Sequence, residues 1–537
     1  MLAKPSPKRV LPCRRDHAPD AFPGSLQVNY LKLSSVIASA LGVGVAVFAT
    51  SAAQAFTHSA ATAVAIAVAA GVLAGLAFAR ALRWTDNGPL PPVGLCALSA
   101  VAAIAALVVF ARLAIFIVDP SQVELSLIPD SKFSVHHNCA TAYFVAAKAS
   151  STSPDPYADS LYTARDDDPT KIRKPLTMGP FNVDVFEYPP PFLLLPRALR
   201  LLTPEFQPFR MLWFGLGGAF ILIAMSVTAR LLGPVGGMRA LLLTPLAWLF
   251  LPMIDVAQKE NIQATVIAMS VLGMVLLDRR RFAAGGALLG FATVAKLYPG
   301  LLVVYLAVRR DWRALAWTAA FGALYVVAAA IDLGPAVYRS FAHHMPGLLG
   351  GEAFPAFRNP AAIAINLSIP GLVFKAKLFG LTGVATFTNM KLVGWIYTLV
   401  AIATTVVLAR RATPDDEKPI VWLTVLILAT LRSPFLPIAY AAVPAGWLLT
   451  LIAARYEPSP RVLAATLVAW GALGIMLPTD TPLGPQVAAL ISFVPQLGLI
   501  LIAALVVQGR FSRAGREVPP RRLSEPHITS ATHTSAR

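Results

Sequence analysis

The strongest candidate for chemistry in this sequence is Glu187, a carboxylate set between an aromatic residue and prolines. It lies in the stretch FNVDVFEYPPPFLLLP, which begins at Phe181, and Tyr188 and three prolines follow it directly. Consecutive prolines favour an extended, preset backbone, so the carboxylate is held in a stiff local frame. A general base needs a carboxylate held in this way, and a solvated interfacial glutamate is the alternative.

Three further residues compete with Glu187 for the role of base. Asp184 lies in the same stretch, Asp130 lies earlier in the polar interval, and His137 offers an imidazole. Asp130 and Asp184 have less local constraint than Glu187. The residues alone leave the choice among the four open.

A metal site is not expected from these residue patterns. His136 and His137 form one pair of adjacent histidines and His343 and His344 form another, but adjacent histidines do not converge easily on one ion. The triple at 166–168 predicts a solvated turn, because three consecutive carboxylates cannot easily face one cation. We therefore expect neither a metal nor a cofactor.

Three cations interrupt or flank apolar segments. Lys259 lies in QKEN, Lys296 in AKLYPG and Arg432 in LRSPFLP. An ionisable side chain inside a membrane costs a few kcal/mol, so its presence suggests a function, and a snorkelling or paired structural cation is the alternative. Three cations facing one cavity would suit an anionic lipid head group better than a neutral solute.

The composition defines what must position these residues. The 537-residue chain is 56% hydrophobic and 13% charged, with many apolar runs of membrane-spanning length. The net charge of +18 comes from clusters at the ends of these runs, as the positive-inside rule predicts, so nucleic acid is not an expected partner. The sequence predicts an all-α polytopic integral membrane protein whose surroundings are the lipid bilayer.

Placing the basic clusters on the cytoplasmic side of the membrane predicts the organisation of the chain. The first apolar run ends in SAAQAF near Ala55, which resembles a signal-peptidase site, but its length favours a retained helix. About 12 to 14 transmembrane segments are expected. The predicted regions are a cytoplasmic basic tail (1–32), three helices (33–118), an extracytoplasmic loop (119–207), a membrane core (208–332), a second extracytoplasmic loop (333–388), C-terminal helices (389–508) and a second basic tail (509–537).

Two intervals between basic clusters predict short hairpins. About 27 residues separate Arg281 from Arg309, a length of roughly 40 Å as one helix, which would put the two clusters on opposite sides. A break at 296–299, with its proline and glycine, keeps both clusters inside and puts Lys296 at the turn. LRSPFLP does the same for Arg432 in the interval from Lys418 to Arg455.

With these motifs laid out, the chain resembles the polytopic GT-C glycosyltransferases, and among them the bacterial mannosyltransferases of glycosyltransferase family 87. The similar elements are AYFVAAKA with DPYADSLY, FEYPPPFLLLP, KEN, GGALLGFATVAKLYPGLLVVYLAVRRDW and, more weakly, RNPAAIAINLSIPGL and LRSPFLP. The resemblance spans about 119–440. It implies a GT-C helical bundle with a long outside loop after the third helix.

The resemblance implies inverting transfer of a sugar, typically mannose, from a polyprenyl phosphate to an acceptor hydroxyl on a glycolipid or polysaccharide. The site would face the periplasm or exterior of a bacterial plasma membrane. Such enzymes usually carry a catalytic aspartate four residues before a tyrosine, but counting back from Tyr143 gives Cys139. FEYPPP also resembles the FEKPP element of lipid A aminoarabinose transferases, which favours Glu187 as the base.

We therefore expect a membrane hexosyltransferase in which Lys259, Lys296 and Arg432, together with Tyr298, bind the donor phosphate. Tyr188 and Asn359 are expected to serve the acceptor or a lid. A transporter or flippase of a lipid-linked sugar is the alternative, because it would need the same cations without a base. A nonenzymatic scaffold would leave the intramembrane cations unexplained.

Overall fold

The computed structural model describes residues 32–57, 59–87, 90–152, 155–163 and 176–511. The predicted basic tails, apart from residues 32 and 509–511, and the aspartate triple at 166–168 lie outside the described residues. The described chain is almost entirely helical, and its elements are numbered below in chain order.

Three long helices form the N-terminal part of the bundle: α1 (Leu33–Gln54), α2 (Ala60–Ala81) and α3 (Val93–Val118). Helices α1 and α2 pack closely along glycines. A Cβ added at Gly42 would lie 2.6 Å from the Gly71 carbonyl oxygen, and one at Gly71 would lie 2.8 Å from the Gly42 carbonyl. Small residues allow such close backbone approach, which is a common way for helices to pack in membranes.

The polar interval that follows folds into short helices around a small sheet. Its elements are α4 (Lys132–His136), β1 (His137–Asn138), α5 (Cys139–Ala149), β2 (Thr177–Met178), β3 (Phe181–Val183) and α6 (Leu194–Leu202). The strand order is β1-β3-β2. Parallel pairing sets His137 beside Asn182 and Asn138 beside Val183, while β2 runs antiparallel to β3.

Helix α5 lies in the core of the described chain rather than at its surface. Its Asn138 cap accepts a hydrogen bond from the Ala140 backbone N–H at 2.8 Å, as N-cap asparagines do. Tyr143 and Ala146 are fully buried. The helix packs against α6, α7 and β3, so it belongs to the core beneath the cavity described below.

The central part of the chain is a series of helices joined by tight breaks. It comprises α7 (Phe206–Ala229), α8 (Gly233–Trp248), α9 (Leu251–Gln258), α10 (Gln263–Asp278), α11 (Phe282–Lys296), α12 (Gly300–Val308) and α13 (Trp312–Leu333). Helices α9 and α10 meet at 111°. Glu260 at that bend has φ 54° and Leu297 between α11 and α12 has φ 32°, a left-handed conformation that is uncommon outside glycine.

The C-terminal part begins with a second irregular segment, residues 334–386, and five helices follow it. Its elements are α14 (Pro335–Gly350), α15 (Pro360–Ala364), α16 (Leu372–Lys375), α17 (Phe387–Arg410), α18 (Lys418–Thr430), α19 (Ile438–Ala454), α20 (Pro460–Leu473) and α21 (Pro485–Val507). Helices α18 and α19 pack side by side around the LRSPFLP turn, as the second predicted hairpin requires. Helices α11 and α12 separate after their turn, because α11 packs on α10 and α13 while α12 packs mainly on α17.

The prediction of an all-α polytopic membrane protein is confirmed. Among the described residues, seven helical stretches are long and apolar enough to span a membrane, or eight if α9 and α10 count as one bent span. The predicted 12 to 14 segments exceed this number because several correspond to shorter apolar helices, such as α11, α18, α19 and α20. The nine-residue α12 is only about 14 Å long, well short of a hydrocarbon core of roughly 30 Å.

Candidate functional site

A cavity of about 1480 Å³ lies between the polar interval, the α9–α10 bend, the α11–α12 turn and the segment that contains α14 and α15. It brings together nine of the ten residues predicted to act in a site. These are His137, Asp184, Glu187, Tyr188, Lys259, Lys296, Tyr298, Asn359 and Arg432. Asp130, the tenth residue, is exposed and does not line the cavity.

The failure of Asp130 to reach the cavity has a structural reason. The residue precedes Ser131, which caps α4, and Ser131 donates a hydrogen bond to the Asp480 carboxylate at 2.6 Å. This contact fixes the start of α4 at a point where Asp130 faces outward. The prediction of Asp130 as a rival base is therefore not supported by its position.

Lys296 lies at the end of α11, directly before the left-handed Leu297. Its ammonium lies 5.2 Å from the centre of the Tyr188 ring and 5.9 Å from that of Tyr440. It donates to the Asn261 side-chain oxygen at a long 3.4 Å. Within the described part of the chain Lys296 forms no ion pair at contact distance, but the Glu187 carboxylate is near enough to interact with its charge. Two aromatic rings and Glu187 therefore surround this cation.

Arg432 is held at the turn between α18 and α19. Its Nε donates to the Thr398 hydroxyl at 2.6 Å, and its guanidinium lies 5.9 Å from the Trp395 ring. The turn itself is fixed by Asn366, whose side-chain oxygen accepts from the Leu436 backbone N–H at 2.9 Å. No carboxylate among the residues described here pairs with Arg432, so its charge remains available to an anion in the cavity.

Lys259 differs from the other two cations because it already has a counterion. Its ammonium lies 2.7 Å from the Asp255 carboxylate, one turn earlier on α9. Asp255 is also buried and lines the cavity, but the sequence analysis did not select it. Its spacing of four residues from Lys259 on an apolar helix was the available signal.

The frame around Glu187 consists of buried aromatic residues. The Tyr188 hydroxyl lies 3.0 Å from the Tyr143 hydroxyl, and the Tyr157 hydroxyl donates to the Tyr188 carbonyl at 2.8 Å. The Tyr188 ring stacks on Phe192 at 4.5 Å. Burial raises the pKa of Tyr188 well above its ordinary value, so its hydroxyl stays neutral beside the Glu187 carboxylate.

A second group of donor atoms, His137, Cys139 and Asp184, meets on one wall of the cavity. The His137 Nε2 lies 3.7 Å from the Cys139 sulfur and 3.7 Å from an Asp184 carboxylate oxygen. Burial lowers the pKa of His137 and raises that of the Cys139 thiol to about 12, so both side chains are neutral near pH 7.

A buried ion pair supports the α9–α10 bend from behind. The Arg210 Nε on α7 lies 2.8 Å from a Glu260 carboxylate oxygen, and both side chains are fully buried. The guanidinium lies over the Phe181 ring at 4.4 Å and donates to the Ile117 carbonyl at 3.0 Å. Glu260 stands between Lys259 and Asn261 in sequence, so this pair fixes the segment that carries two cavity residues. The sequence analysis did not find it.

These features define a class of protein: an all-α polytopic membrane protein with a large cavity lined by five lysine and arginine residues, Lys259, Lys296 and Arg432 among them, and by several carboxylates. Comparison with known families is more specific. Residues 186–436 match glycosyltransferase family 87, a range that includes Glu187, all three cations and the second irregular segment. This match to part of the chain confirms the predicted resemblance to that family.

Other comparisons give weaker similarity. No curated protein is significantly similar to the chain in sequence. The solved structure of ArnT from Cupriavidus metallidurans bound to undecaprenyl phosphate is 16% identical, with a TM-score of 0.35 and coverage of 77% of both chains. The same protein in the apo state is 19% identical, with a TM-score of 0.27 and coverage of 78% of this chain and 77% of that one.

Proposed function

We propose that this protein transfers a sugar, mannose in the first instance, from a polyprenyl phosphate to an acceptor hydroxyl. The proposal rests on one observation above all. The region that matches glycosyltransferase family 87 contributes Lys296, Arg432 and the carboxylate of Glu187 to one cavity, and neither cation is in an ion pair at contact distance within the described chain. The cavity of about 1480 Å³ is large enough for a lipid phosphate, its sugar and an acceptor.

The two cations suit the leaving group of such a reaction. As the bond between sugar C1 and the phosphate oxygen breaks, the bond electrons stay on the phosphate and its negative charge grows. Lys296 and Arg432 would stabilise that charge from fixed positions, which costs no reorganisation in the transition state. Lys259 has a smaller share in this scheme, because Asp255 already balances its charge.

Glu187 is the base in this proposal. It would take the proton from the acceptor hydroxyl while the hydroxyl oxygen attacks C1 from the face opposite the phosphate. A single displacement of this kind inverts the anomeric carbon, by the geometry that also governs inverting glycosidases. Tyr188 and Asn359, which line the same cavity, would orient the acceptor. The site would open toward the outer side of a bacterial plasma membrane.

The test uses the full-length protein in detergent with polyprenyl-phosphate mannose as donor and an alkyl mannoside as acceptor. We expect Glu187→Gln and Lys296→Ala to lower transfer by about 100-fold or more, the range for loss of a base or of one charge-stabilising group. Asp130→Asn is the matched control, because Asp130 is an exposed carboxylate outside the cavity. Its transfer rate should equal that of the unaltered protein.

A second measurement separates the steps. Lys296→Ala should also weaken binding of polyprenyl phosphate, whereas Glu187→Gln should leave that binding intact. Full transfer in both variants would refute the assignment of these residues. If Asp184→Asn abolishes transfer and Glu187→Gln does not, Asp184 is the base. Movement of intact donor across vesicles without sugar release would favour a flippase instead.

A further inference from the structure

We infer that His137, Cys139 and Asp184 form a binding site for one divalent transition-metal ion, for which zinc is the best match. One donor atom from each residue lies within 4.8 Å of the other two. The inference does not depend on the proposed sugar transfer, because binding of the ion can be measured by itself.

The distances match those expected around a tetrahedral zinc ion. With zinc to sulfur near 2.3 Å and zinc to nitrogen or oxygen near 2.1 Å, neighbouring ligand atoms lie about 3.4 to 3.6 Å apart. The observed sulfur to nitrogen and nitrogen to oxygen distances are both 3.7 Å. The nitrogen to oxygen distance exceeds the usual length of a hydrogen bond, so a direct hydrogen bond does not explain the approach of Asp184 to His137. The sulfur to nitrogen distance is that of a weak hydrogen bond from a thiol.

The same geometry argues against a nucleophilic triad. In a relay of thiol, imidazole and carboxylate, the thiol and the carboxylate contact different ring nitrogens. Here the Cys139 sulfur and the Asp184 oxygen both lie nearest to Nε2 of His137. Three donors converging on one point suit an ion placed between them, and the Asp184 carboxylate does not contact the second ring nitrogen, Nδ1, as a relay requires.

The surroundings of the sulfur are those of a metal ligand. The Asn261 side-chain amide donates to the Cys139 sulfur at 3.2 Å, and the Tyr440 hydroxyl lies 3.4 Å from it. The backbone N–H of Cys139 donates to the Lys259 carbonyl at 2.9 Å, which fixes the start of α5. Outer contacts of this kind orient ligands and tune the metal.

The backbone also positions the carboxylate. The Asp184 N–H donates to the Thr141 hydroxyl at 2.9 Å, and that hydroxyl donates to the Asn138 carbonyl at 2.6 Å. The first contact ties the end of β3 to the first turn of α5, and the second holds the Thr141 hydroxyl against the Asn138 cap of that helix. One thiolate and one carboxylate would neutralise the charge of a divalent ion, which lowers the free-energy cost of burying the ion in part.

Three protein ligands leave one tetrahedral position open. Because all three residues line the cavity, that position faces its interior. Zinc sites with an open position bind water or a substrate oxygen there and act as Lewis acids. The expected ligand is therefore a hydroxyl or phosphate oxygen of whatever molecule occupies the cavity.

The test loads the purified full-length protein, stripped with a chelator, with Co²⁺ or Zn²⁺. We expect one ion per chain and, for Co²⁺, the absorption band of a cobalt–thiolate bond. Cys139→Ala should remove that band. His137→Ala should weaken binding by at least the roughly 10- to 100-fold that loss of an outer contact costs.

The chain offers matched controls for both changes. Cys96 is a free cysteine on α3 and does not line the cavity, and exposed His136 bonds the Pro180 carbonyl away from the cluster. Cys96→Ala and His136→Ala should bind Co²⁺ normally. Asp184→Asn should also bind Co²⁺ more weakly. Because this change keeps the shape of the side chain, weaker binding would not result from misfolding. The absence of a thiolate band in the unaltered protein, or equal affinity in His137→Ala and His136→Ala, would overturn the inference.

Discussion

Replacing Glu260 with alanine should destabilise this protein more than any change of a surface ion pair. Arg210 and Glu260 are both fully buried, so removal of the carboxylate leaves a guanidinium charge without its counterion in the interior. The remaining contacts of Arg210 are backbone carbonyls of Phe116 and Ile117 and two aromatic rings. Breaking a buried ion pair in this way costs about 3 to 5 kcal/mol.

The measurement is unfolding in detergent, followed by tryptophan fluorescence with heat and with denaturant. Glu260→Gln should cost less than Glu260→Ala, because the amide oxygen still accepts from Arg210. The double variant Arg210→Met/Glu260→Gln should recover part of the lost stability, because no unpaired charge remains. Asp332→Ala is the control, because it breaks the Arg197–Asp332 pair, which has a carboxylate side chain that is 41% exposed.

An exposed pair of that kind contributes about 0 to 1 kcal/mol. Equal losses in Glu260→Ala and Asp332→Ala would therefore refute the reasoning. Stability is not the only expected effect. Glu260 has a left-handed backbone between Lys259 and Asn261, and Asn261 contacts both Cys139 and Lys296. Sugar transfer should fall in Glu260→Ala even at temperatures where the protein stays folded.

Two further changes test buried polar groups outside the catalytic scheme. Burial lowers the pKa of Lys375 from 10.5 to about 7. Between these two values the unfolded state binds a proton that the folded state does not, so the free energy of unfolding should rise as pH increases from about 7 toward 10.5. Lys375→Met should abolish this rise in unfolding temperature, whereas exposed Lys377→Met should keep it, and a pH dependence unchanged by Lys375→Met would contradict the assignment. Asn366→Ala should cost about 1 to 3 kcal/mol, because it leaves buried partners at the Arg432 turn unsatisfied. It should also weaken polyprenyl phosphate binding, and an effect no larger than that of Asn389→Ala, a part-exposed asparagine on α17, would show that the turn does not need it.

The helices could be predicted because long apolar runs and basic clusters are local signals. The three N-terminal helices, the break after Lys296 and the break before Arg432 all occur close to the expected positions. Pro299 disfavours continuation of α11, and the left-handed Leu297 completes the turn. The number of complete spans was less predictable, because packing decides whether a short apolar helix crosses the membrane alone or completes a broken one.

The partners of the cations could not be predicted from local pattern. Lys259, Lys296 and Arg432 are alike in sequence as polar residues in apolar surroundings. Only the folded chain distinguishes them, because Asp255 neutralises the first while aromatic rings and hydroxyl groups surround the other two. Charge pairing depends on side-chain direction and on neighbouring helices, which periodicity does not encode.

A short strand pairing brings a carboxylate close to Cys139, the position at which the resembling family carries an aspartate. The family resemblance implies an aspartate at that position, and its absence suggested that the site lacked a carboxylate there. Parallel pairing joins His137 to Asn182 and Asn138 to Val183, and the next residues along the two segments, Cys139 and Asp184, have donor atoms within 4.8 Å of each other. A carboxylate is therefore present beside position 139, supplied by a distant part of the chain. Strands of two or three residues leave no periodic signal, so this pairing could not be predicted from the sequence. The aspartate missing at position 139 is replaced by a thiol with an imidazole and a carboxylate beside it, and all three face the same cavity.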